Sequence, residues 1–578
     1  MKQKRRQPQR TVVPNRLDSS EDDWVRPPVN LWRFGWLAVP LLVGLTIRCL
    51  HLFAVLQDGP LRDVLLLDSK MYWDEAHALL GGSLGTEPYR IGPLYPLVLS
   101  GIWGVFGVSL PAVFVLQTMV GLGSILLVTL LARRVGSAPA ACAAGVAFAA
   151  YGPTIMLEAK LMSETLAVAL VLLGTYLLTG ELLSRRRCVV SGVVLGAACL
   201  ARPDFLLALP LIAVARFGNL SSKLSELLRL DRKTRKLAVF WAVGAVAVVG
   251  LATARNVAVS GQLVLISSQG GITFYHGNNP RAEGTFAPPP ELPTDKHGHD
   301  AQARVFAERE LGRHLTPAEV NAFWTRRGVA YLLSDPVAAL VLMGRKLYCF
   351  ASSTELSGEY VLEAERCLAP SLRVAITPFG LFLAAAILGA PLAWRRSRRL
   401  TAVVVVVTTA ALVTALVFFA SSRYRLIAAA HLAVLVAPAV DELRSKRWQG
   451  SKPVRFRVAA ALGVLMVSLA SLGDAGRMQA AGEFYNLGGE LYARRQVQEA
   501  IRYYQTALAV RPRFFDLRFN LAHAYAVDGD YAAAAEQMRA AAALDPGAAD
   551  AARYADEYAR KARRDPRDQS RHAPICEL

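Results

Sequence analysis

Eleven long apolar runs, separated by polar junctions, constrain the fold of this chain more than any other feature. Of its 578 residues 53% are hydrophobic, and the mean hydropathy is +0.32. A helix needs roughly 20 mostly apolar residues to cross a hydrocarbon core about 30 Å thick. We therefore predict an all-α polytopic membrane protein. The runs lie at 33–57, 110–132, 138–156, 163–183, 188–201, 203–216, 237–254, 372–394, 400–420, 424–440 and 458–474.

The charge of the chain follows the same pattern. Lysine and arginine outnumber aspartate and glutamate by 65 to 45, a net charge of +20. The basic residues fall in alternate junctions and in the N-terminal tail, as the positive-inside rule predicts for cytoplasmic segments. The surplus of basic residues therefore reflects membrane topology, and we expect no nucleic acid partner. The tail 1–32 is predicted to be cytoplasmic and disordered, while loops 58–109 and 255–371 and everything after 474 are predicted to be external.

Most of the distinctive polar side chains lie on the predicted external face. Each alone could mark a span end, where Arg and Tyr reach the lipid headgroups. Together they indicate a shared hydrated cavity, because ionisable groups from distant spans recur on one side. The groups are Asp68, Asp74 and Glu75; Glu158, Lys160 and Glu164; Arg202 and Asp204; Arg255 and Asn256; His276, Asn278 and Asn279; and Arg423, Tyr424 and Arg425.

The order of these motifs resembles the GT-C glycosyltransferases. It is most similar to the polyprenyl-phosphate-sugar branch that includes protein O-mannosyltransferases and the lipid A aminoarabinose transferase. The resemblance covers about residues 33–440, although alanine at 428 and 429 replaces a usual proline. It implies a GT-C-like bundle of about 11 transmembrane helices. Five features carry it: the acidic motif 67–72 with a PLYP-type helix after it, the SETL sequence at 163–166, the ARPD sequence at 201–204, the block from Arg255–Asn256 to Asn278–Asn279–Pro280, and the SRYR sequence at 422–425.

Sugar transfer from a lipid phosphate needs a carboxylate that takes the proton of the acceptor and cations that hold the departing phosphate. Asp68 lies where the family has its catalytic base, and the resemblance implies inversion at the anomeric carbon. Asp74 and Glu75 are the alternative candidates. They lie one to two helical turns from Asp68, so all three cannot face one point. The pair could also be a solvated helix face.

Arg423 is the first candidate for the donor phosphate, because a guanidinium presents paired planar donors. Arg202 and Arg255 are the next candidates, and Arg202 could instead form a structural pair with Asp204 or Glu164. Arg425 is predicted to be a neighbour rather than a ligand, since side chains two apart diverge on a helix. The expected cavity lining is Tyr72, Tyr95, Glu158, Glu164, Asp204, His276, Asn278 and Tyr424.

Some GT-C enzymes use a divalent cation, and others do not. Asp68, Glu158 and Glu164 are candidate oxygen ligands for Mg²⁺ or Mn²⁺. Their spacing does not demand a metal. The sequence His297–Gly298–His299–Asp300 is not favoured, because no Cys or further His accompanies it.

The external segment 255–371 is predicted to form a small mixed cap over the cavity. It opens with a strand-turn pattern at 264–279 and becomes helical from about 301 to 350. Thr316 and Glu319 predict a capping box. Cys349 and Cys367 share the segment, so a disulfide between them is a candidate in an oxidising compartment.

The sequence after the last span resembles tetratricopeptide repeats. Two copies and a helical extension at 549–564 predict an α-solenoid over 481–564, followed by a disordered tail at 565–578. The repeat positions are Phe484, Leu487, Gly488, Leu491, Ala500, Tyr504, Ala507 and Pro512, then Leu521, Ala522, Tyr525, Ala534, Met538, Ala541 and Pro546.

Three functions stay open. The first is a membrane glycosyltransferase with a polyprenyl-phosphate-sugar donor and a protein, lipid or glycan acceptor, which the repeats could recruit. The second is a polyprenyl-lipid or polysaccharide transporter, and the third is a noncatalytic scaffold. The composition and the basic tail favour a bacterial inner membrane, with the N-terminus cytoplasmic and the repeats periplasmic.

Overall fold

The computed structural model describes residues 35–578 except 84, 181, 220–229, 293–298, 446, 471, 473, 565–573 and 577–578. The regular elements of these residues are all helical, and none is a strand. The predicted tail 1–32, most of the tail 565–578 and His297–Gly298 lie outside the described residues.

The N-terminal part places two shorter helices in the first loop after the first span. Gly107 adopts a φ of 74° and ends the second of them, and the Ser109 hydroxyl then accepts a hydrogen bond from the Ala112 amide (3.3 Å) and caps the following helix. The helices are α1 (Gly35–Gln57), α2 (Gly59–Asp63), α3 (Leu67–Leu80), α4 (Leu94–Phe106) and α5 (Leu110–Val135).

Three of the next five apolar runs, 138–156, 163–183 and 203–216, form shorter or broken helices, whereas 188–201 and 237–254 lie within helices longer than predicted. α6 and α7 are bent by 55° at Ala150–Tyr151. The helices are α6 (Ala138–Ala149), α7 (Gly152–Glu158), α8 (Glu164–Leu178), α9 (Arg185–Ala201), a 3-10 turn at Pro203–Leu207, α10 (Ala208–Phe217) and α11 (Arg232–Ser260).

In the described part of the segment predicted as a mixed cap every regular element is helical and irregular loops join the helices, so the strand-turn prediction at 264–279 is wrong. An extended run needs a second strand to satisfy its backbone groups, whereas a helix satisfies them locally. The Thr316–Glu319 capping box is confirmed. The helices are α12 (Gly270–Gly277), α13 (His299–Leu311), α14 (Pro317–Ser334), α15 (Pro336–Ala351) and α16 (Leu362–Leu368), followed by a 3-10 turn at Pro370–Val374.

The remaining helices complete the bundle and add a helical array after it. The bundle helices are α17 (Phe379–Arg396), α18 (Arg398–Val417), α19 (Ser422–Ala433), α20 (Val436–Arg444), α21 (Arg447–Gly450) and α22 (Lys452–Leu469). The array helices are α23 (Ala475–Ala493), α24 (Val497–Val510), α25 (Phe515–Asp528), α26 (Tyr531–Leu544) and α27 (Ala549–Arg564).

This is an integral membrane protein, but the described helices do not reproduce eleven spans. Five are long and apolar enough to cross a membrane, or up to eight if each bent pair is one span. α8 has 15 residues and α10 has 10. At about 1.5 Å per residue neither reaches the roughly 30 Å of a hydrocarbon core.

One bent pair lies in the segment predicted to be external. α14 and α15 are together apolar enough for a span, but they are bent by 108°. A pair bent beyond a right angle cannot cross as one straight rod. The exposed apolar face of α15, with Val337 and Leu340 both more than 70% exposed, is a feature that the sequence analysis missed.

In the array, consecutive helices pack against each other from α23 to α27. The repeat positions within the helices are buried, whereas Pro512 and Pro546, in the turns, are exposed. Gly488 lets the helices approach closely, because a Cβ there would meet the ring of Tyr504 at 2.7 Å. The spans and the array belong to one compact unit, 36–578.

The candidate disulfide between Cys349 and Cys367 is absent. Cys367 on α16 pairs instead with Cys576, and Cys349 is a free thiol in α15. The Ile575 amide donates a hydrogen bond to the Thr506 hydroxyl on α24 (2.9 Å), so the C-terminal segment lies against the array and brings Cys576 to α16.

Candidate active site

A cavity of about 770 Å³ lies where α3, the turn after α9 and the start of α19 come together. Gly92 allows this approach, because a Cβ there would meet the carbonyl oxygens of Leu200 and Ala201 at 2.6 and 2.8 Å. Asp68, Arg202 and Arg423 all line the cavity. The three groups that the sequence analysis considered central are therefore neighbours.

Asp68 lies in the first turn of α3. The residue before it, Leu67, has a φ of 31°, a backbone conformation that non-glycine residues rarely adopt. Such strain costs on the order of 1–3 kcal/mol and persists where the surrounding structure enforces it. The strained entry into α3 aims the Asp68 carboxylate at the cavity.

Arg423 is the centre of an ion network on the wall of the cavity. Its Nη1 donates to Asp68 Oδ2 at 2.8 Å and to Glu359 Oε2 at 3.2 Å, and its Nε donates to Glu164 Oε1 at 2.6 Å. Asp68 and Arg423 are 355 positions apart in sequence. The predicted pairing of acid and arginine across one cavity is therefore present in the geometry.

Arg202 extends the network through Glu164. Its Nη1 donates to the same oxygen, Glu164 Oε1, at 2.5 Å, and its Nε donates to Asp204 Oδ1 at 3.0 Å. Its guanidinium also lies 4.9 Å from the ring centre of Tyr424. The structural alternative for Arg202, a pair with Asp204 or Glu164, is thus what this structure contains, although Arg202 still lines the cavity.

The three carboxylates on Arg423 differ in solvent access. The Asp68 side chain is 40% exposed, whereas those of Glu164 and Glu359 are 2% and 3% exposed. Among these partners Asp68 is the one that an acceptor can reach and the one that can leave the guanidinium at the lowest desolvation cost.

A row of aromatic rings forms another wall. The ring centres of His276 and Phe286 are 4.6 Å apart, those of Phe286 and Phe419 are 5.7 Å apart, and those of Phe419 and Tyr424 are 5.3 Å apart. All four line the cavity. The cavity thus presents a row of aromatic rings as well as charged groups, and the two meet where Tyr424 lies against Arg202.

Tyr72 and Tyr95 pack together next to the charged residues of the cavity. The Tyr72 hydroxyl donates to Ser163 Oγ at 3.0 Å, and burial raises the pKa of Tyr72, which keeps the phenol neutral. The two rings meet edge to face at 4.8 Å, and the Tyr95 hydroxyl donates to Gln117 Oε1 at 2.7 Å. Tyr72 lines the cavity, and Tyr95 lies behind it.

Tyr95, Glu158, Glu164 and Asn278 do not line the cavity, contrary to the sequence prediction. Glu158 accepts two hydrogen bonds from Arg48, at 2.7 and 2.8 Å, in a buried pair. The Asn278 amide donates to the Phe274 and Val417 carbonyls at 2.7 and 2.8 Å. The Glu158 and Asn278 side chains join helices within the bundle.

Arg255 also lies outside the cavity lining. Its Nη1 donates to the Glu87 carbonyl at 2.6 Å and its Nη2 to the Gly85 carbonyl at 3.2 Å, and its guanidinium lies 4.2 Å from the ring centre of Tyr89. It therefore holds the loop before α4. A phosphate-binding role for Arg255 has no support from this geometry.

Asp74 and Glu75 separate from each other. Asp74 is exposed and lines the cavity, whereas Glu75 does not line it and has Arg90 Nε at 3.9 Å. Burial raises the pKa of Glu75 to about 7, against the opposing effect of Arg90 and Arg255.

Glu359 is the functional candidate that the sequence analysis missed. Besides Arg423 it contacts the Ser69 amide, which donates to Glu359 Oε1 at 3.4 Å. A signal was present: Glu355, Glu359, Glu363 and Glu365 form an acidic group between the two cysteines considered for a disulfide.

The candidate metal ligands do not converge. Within the described residues no three His, Cys, Asp or Glu side chains are grouped to hold a metal ion. Glu158 is engaged by Arg48, and Glu164 by Arg202 and Arg423. The set Asp68, Glu158 and Glu164 therefore does not fit a single Mg²⁺ or Mn²⁺.

The sequence matches no protein-family model and no curated protein. Similar solved structures include the apo oligosaccharyltransferase of Archaeoglobus fulgidus, with 16% identity and a TM-score of 0.43 over 79% of this chain and 57% of that one. The same archaeal enzyme in complex with an inhibitory peptide and a dolichol-phosphate gives 17% identity and a TM-score of 0.39 over 80% of this chain and 56% of that one. The chain thus spans little more than half of that enzyme.

A further similar structure is ArnT from Cupriavidus metallidurans bound to undecaprenyl phosphate. It shares 14% identity with a TM-score of 0.32, over 79% of this chain and 89% of that one. The function proposed below rests on the cavity and on the order of the sequence motifs.

Proposed function

We propose that this chain is a membrane glycosyltransferase that moves a sugar from a polyprenyl-phosphate donor to an acceptor on the external face. The observation that carries the proposal is the 2.8 Å contact between Asp68 and Arg423 in one cavity. A base and a phosphate-binding cation are the two parts that the chemistry needs.

In the proposed reaction the Asp68 carboxylate takes the proton of the acceptor hydroxyl or amine. The acceptor atom then attacks the anomeric carbon, the bond from that carbon to the phosphate oxygen breaks with inversion, and polyprenyl phosphate leaves. Arg423, with Arg202 beside it, stabilises the charge on the departing phosphate. Atoms and charges balance, since Asp68 gains one proton and the phosphate gains the bonding electron pair.

The charge of the network determines how the donor binds. Asp68, Glu164, Asp204 and Glu359 supply four carboxylates against the two guanidinium groups of Arg202 and Arg423. A phosphate must therefore replace a carboxylate on Arg423, and the partly exposed Asp68 is the one that can move. Release of Asp68 from Arg423 on donor binding also frees the base to accept a proton.

The aromatic wall suits the apolar part of the donor or a sugar face, since rings offer stacking surfaces beside the charged groups. We place the cavity on the periplasmic side of a bacterial inner membrane, with the N-terminus cytoplasmic. The acceptor can be a protein, a lipid or a glycan, and the array is a candidate recruitment surface for a protein.

The test is to incubate membranes that contain this chain with labelled polyprenyl-phosphate sugars and to follow the label. We expect label to move from lipid to an acceptor, and to stay on the lipid in membranes with the Asp68→Asn variant. Asp74→Asn, on the same helix and in the cavity lining, tests the alternative base, and we expect it to retain transfer. Label that crosses the membrane while still attached to its lipid would instead identify a transporter, and donor that is neither consumed nor moved would refute the proposal.

A further inference from the structure

The segment 354–361 links the cavity to the C-terminal array. It carries Glu359, and on one side the Leu356 carbonyl accepts a hydrogen bond from the Ser422 amide at 2.6 Å, immediately before Arg423. On the same side the Tyr360 hydroxyl donates to Ser69 Oγ at 3.0 Å, immediately after Asp68. The segment therefore lies between the two helices that carry the proposed base and the phosphate-binding arginine.

The other side of the segment is held by α23, the first helix of the array. The Ser357 amide donates to Gln479 Oε1 at 2.8 Å, and the Val361 amide donates to Glu483 Oε2 at 2.6 Å. Ser357 and Val361 are each two residues from Glu359, one on either side. Gln479 and Glu483 are four apart and so lie on one face of α23.

The contact with α23 is close and buried. A Cβ on Gly476 would lie 3.3 Å from Thr354 and 3.5 Å from Glu363, so this glycine lets the helix approach the segment. Glu483 is 2% exposed, and it faces Glu365 of α16, which is itself paired with Lys160 at 2.7 Å. Burial, followed by the charge of Glu365, raises the pKa of Glu483 well above its usual range.

We propose that α23 is a positioning element of the transfer site: Gln479 and Glu483 fix the segment 357–361 so that Glu359 holds the guanidinium of Arg423 in place. This inference rests on the proposed glycosyl transfer for its kinetic consequences only. The array would then form part of the transfer site, and its outer surface could still recruit an acceptor.

A purely recruiting array makes different predictions. Loss of a recruiting contact raises the KM for a large acceptor and leaves the turnover of bound donor unchanged. Loss of a positioning contact lowers kcat, because a displacement of about 1 Å at a reacting group can cost up to ~100-fold.

The experiment compares full-length variants by two measurements. The variants are Gln479→Ala/Glu483→Ala together, Glu483→Gln, and the control Gln498→Ala, an exposed glutamine on α24. The first measurement is hydrogen exchange of the peptide that contains 354–361. The second is kcat and KM with a short-chain polyprenyl-phosphate sugar as the probe.

We expect the double variant to expose the amides of Ser357 and Val361 to exchange and to lower kcat about 10- to 100-fold with little change in KM. Glu483→Gln should behave like the wild type, because a neutral amide oxygen accepts the Val361 hydrogen bond in the same place. Adding Glu359→Gln to the double variant should cause little further loss, since the residues act as one unit.

Wild-type exchange in the double variant would overturn the proposal, and so would increased exchange with unchanged kcat. The exchange measurement needs no turnover, so it shows whether α23 fixes the segment 357–361 even if the wild type transfers no sugar. In that case the proposed function fails, and the positioning contact is judged from hydrogen exchange alone.

Discussion

Arg423 and Arg425 lie two residues apart on α19 and have opposite surroundings. Arg423 contacts three carboxylates in the cavity, and its side chain is 16% exposed. Arg425 is 2% exposed, and its guanidinium donates to the carbonyls of Phe350, Ser352 and Thr354 at 2.9, 2.5 and 3.1 Å and to Glu355 at 2.7 Å.

The two arginines differ in whether a phosphate can replace one of their hydrogen-bond acceptors. Buried backbone carbonyls need a hydrogen-bond donor, and three of them take theirs from Arg425. Its guanidinium is therefore held in place and has a structural role. The carboxylates around Arg423 include one that reaches solvent, so a phosphate can replace it. Identical side chains on one helix therefore separate, through their acceptors, into the proposed phosphate ligand and a structural anchor.

The sharpest way to test the comparison is the same conservative substitution at both positions. We expect Arg423→Lys to lower transfer by about 10²–10³-fold, because an ammonium cannot present paired planar donors to a phosphate in the transition state. Its melting temperature should stay near that of the wild type, since lysine still pairs with Glu164. The measurement is kcat for the labelled donor, and near-normal turnover would end the phosphate assignment.

Arg425→Lys should show the opposite pattern. One ammonium cannot reach all of the acceptors around the guanidinium, and each buried carbonyl left without a donor costs about 1–3 kcal/mol. We expect a clear loss of thermal stability in detergent, with residual transfer per folded molecule close to that of the wild type. A stable but inactive variant would contradict the distinction between the two arginines.

Arg255→Ala tests an arginine that motif order alone had associated with phosphate. We expect only a few-fold change in kcat, because the side chain holds the carbonyls of Gly85 and Glu87 and does not line the cavity. Faster proteolysis of the loop before α4 would be the visible effect. A loss as large as that of Arg423→Lys would place Arg255 back in the phosphate site.

Glu75→Gln tests a carboxylate whose burial is not compensated by a close guanidinium. With a pKa of about 7 in the folded protein and 4.5 as its ordinary value, the folded chain retains a proton that the unfolded chain loses. Stability from this group is therefore present below about pH 4.5 and is lost as the pH rises to about 7.

The variant should match the wild type near pH 4.5 and melt at a higher temperature above pH 7. Thermal unfolding across this range measures the difference, and parallel curves for the two proteins would contradict it. Transfer should be unaffected, since Glu75 does not line the cavity.

Hydropathy and motif order predicted the helical membrane class and the meeting of Asp68 with Arg423. The membrane class followed from long apolar runs, which are a local property of the sequence, whereas the meeting of two residues 355 positions apart followed from the resemblance in motif order. They also predicted that Arg425 is a neighbour, since the helical period separates side chains two apart.

The errors concern contacts between distant segments. Nothing local distinguishes Glu158, which is paired with Arg48 inside the bundle, from Glu164, which bridges two arginines at the cavity. Glu359 escaped notice because its partners, Ser69 and Arg423, are 290 and 64 positions away in sequence. The strand-turn prediction at 264–279 failed because a strand needs a partner that the single segment cannot reveal.

The most direct test measures donor binding and transfer on one purified sample of Asp68→Asn. We expect the variant to bind a labelled polyprenyl-phosphate sugar at least as well as the wild type, because Arg423 loses a competing carboxylate. Transfer should fall by about 10²–10⁴-fold, the usual contribution of a general base. Transfer within a few-fold of the wild type would contradict the assignment of Asp68, and loss of binding together with transfer would contradict its separation from the phosphate site.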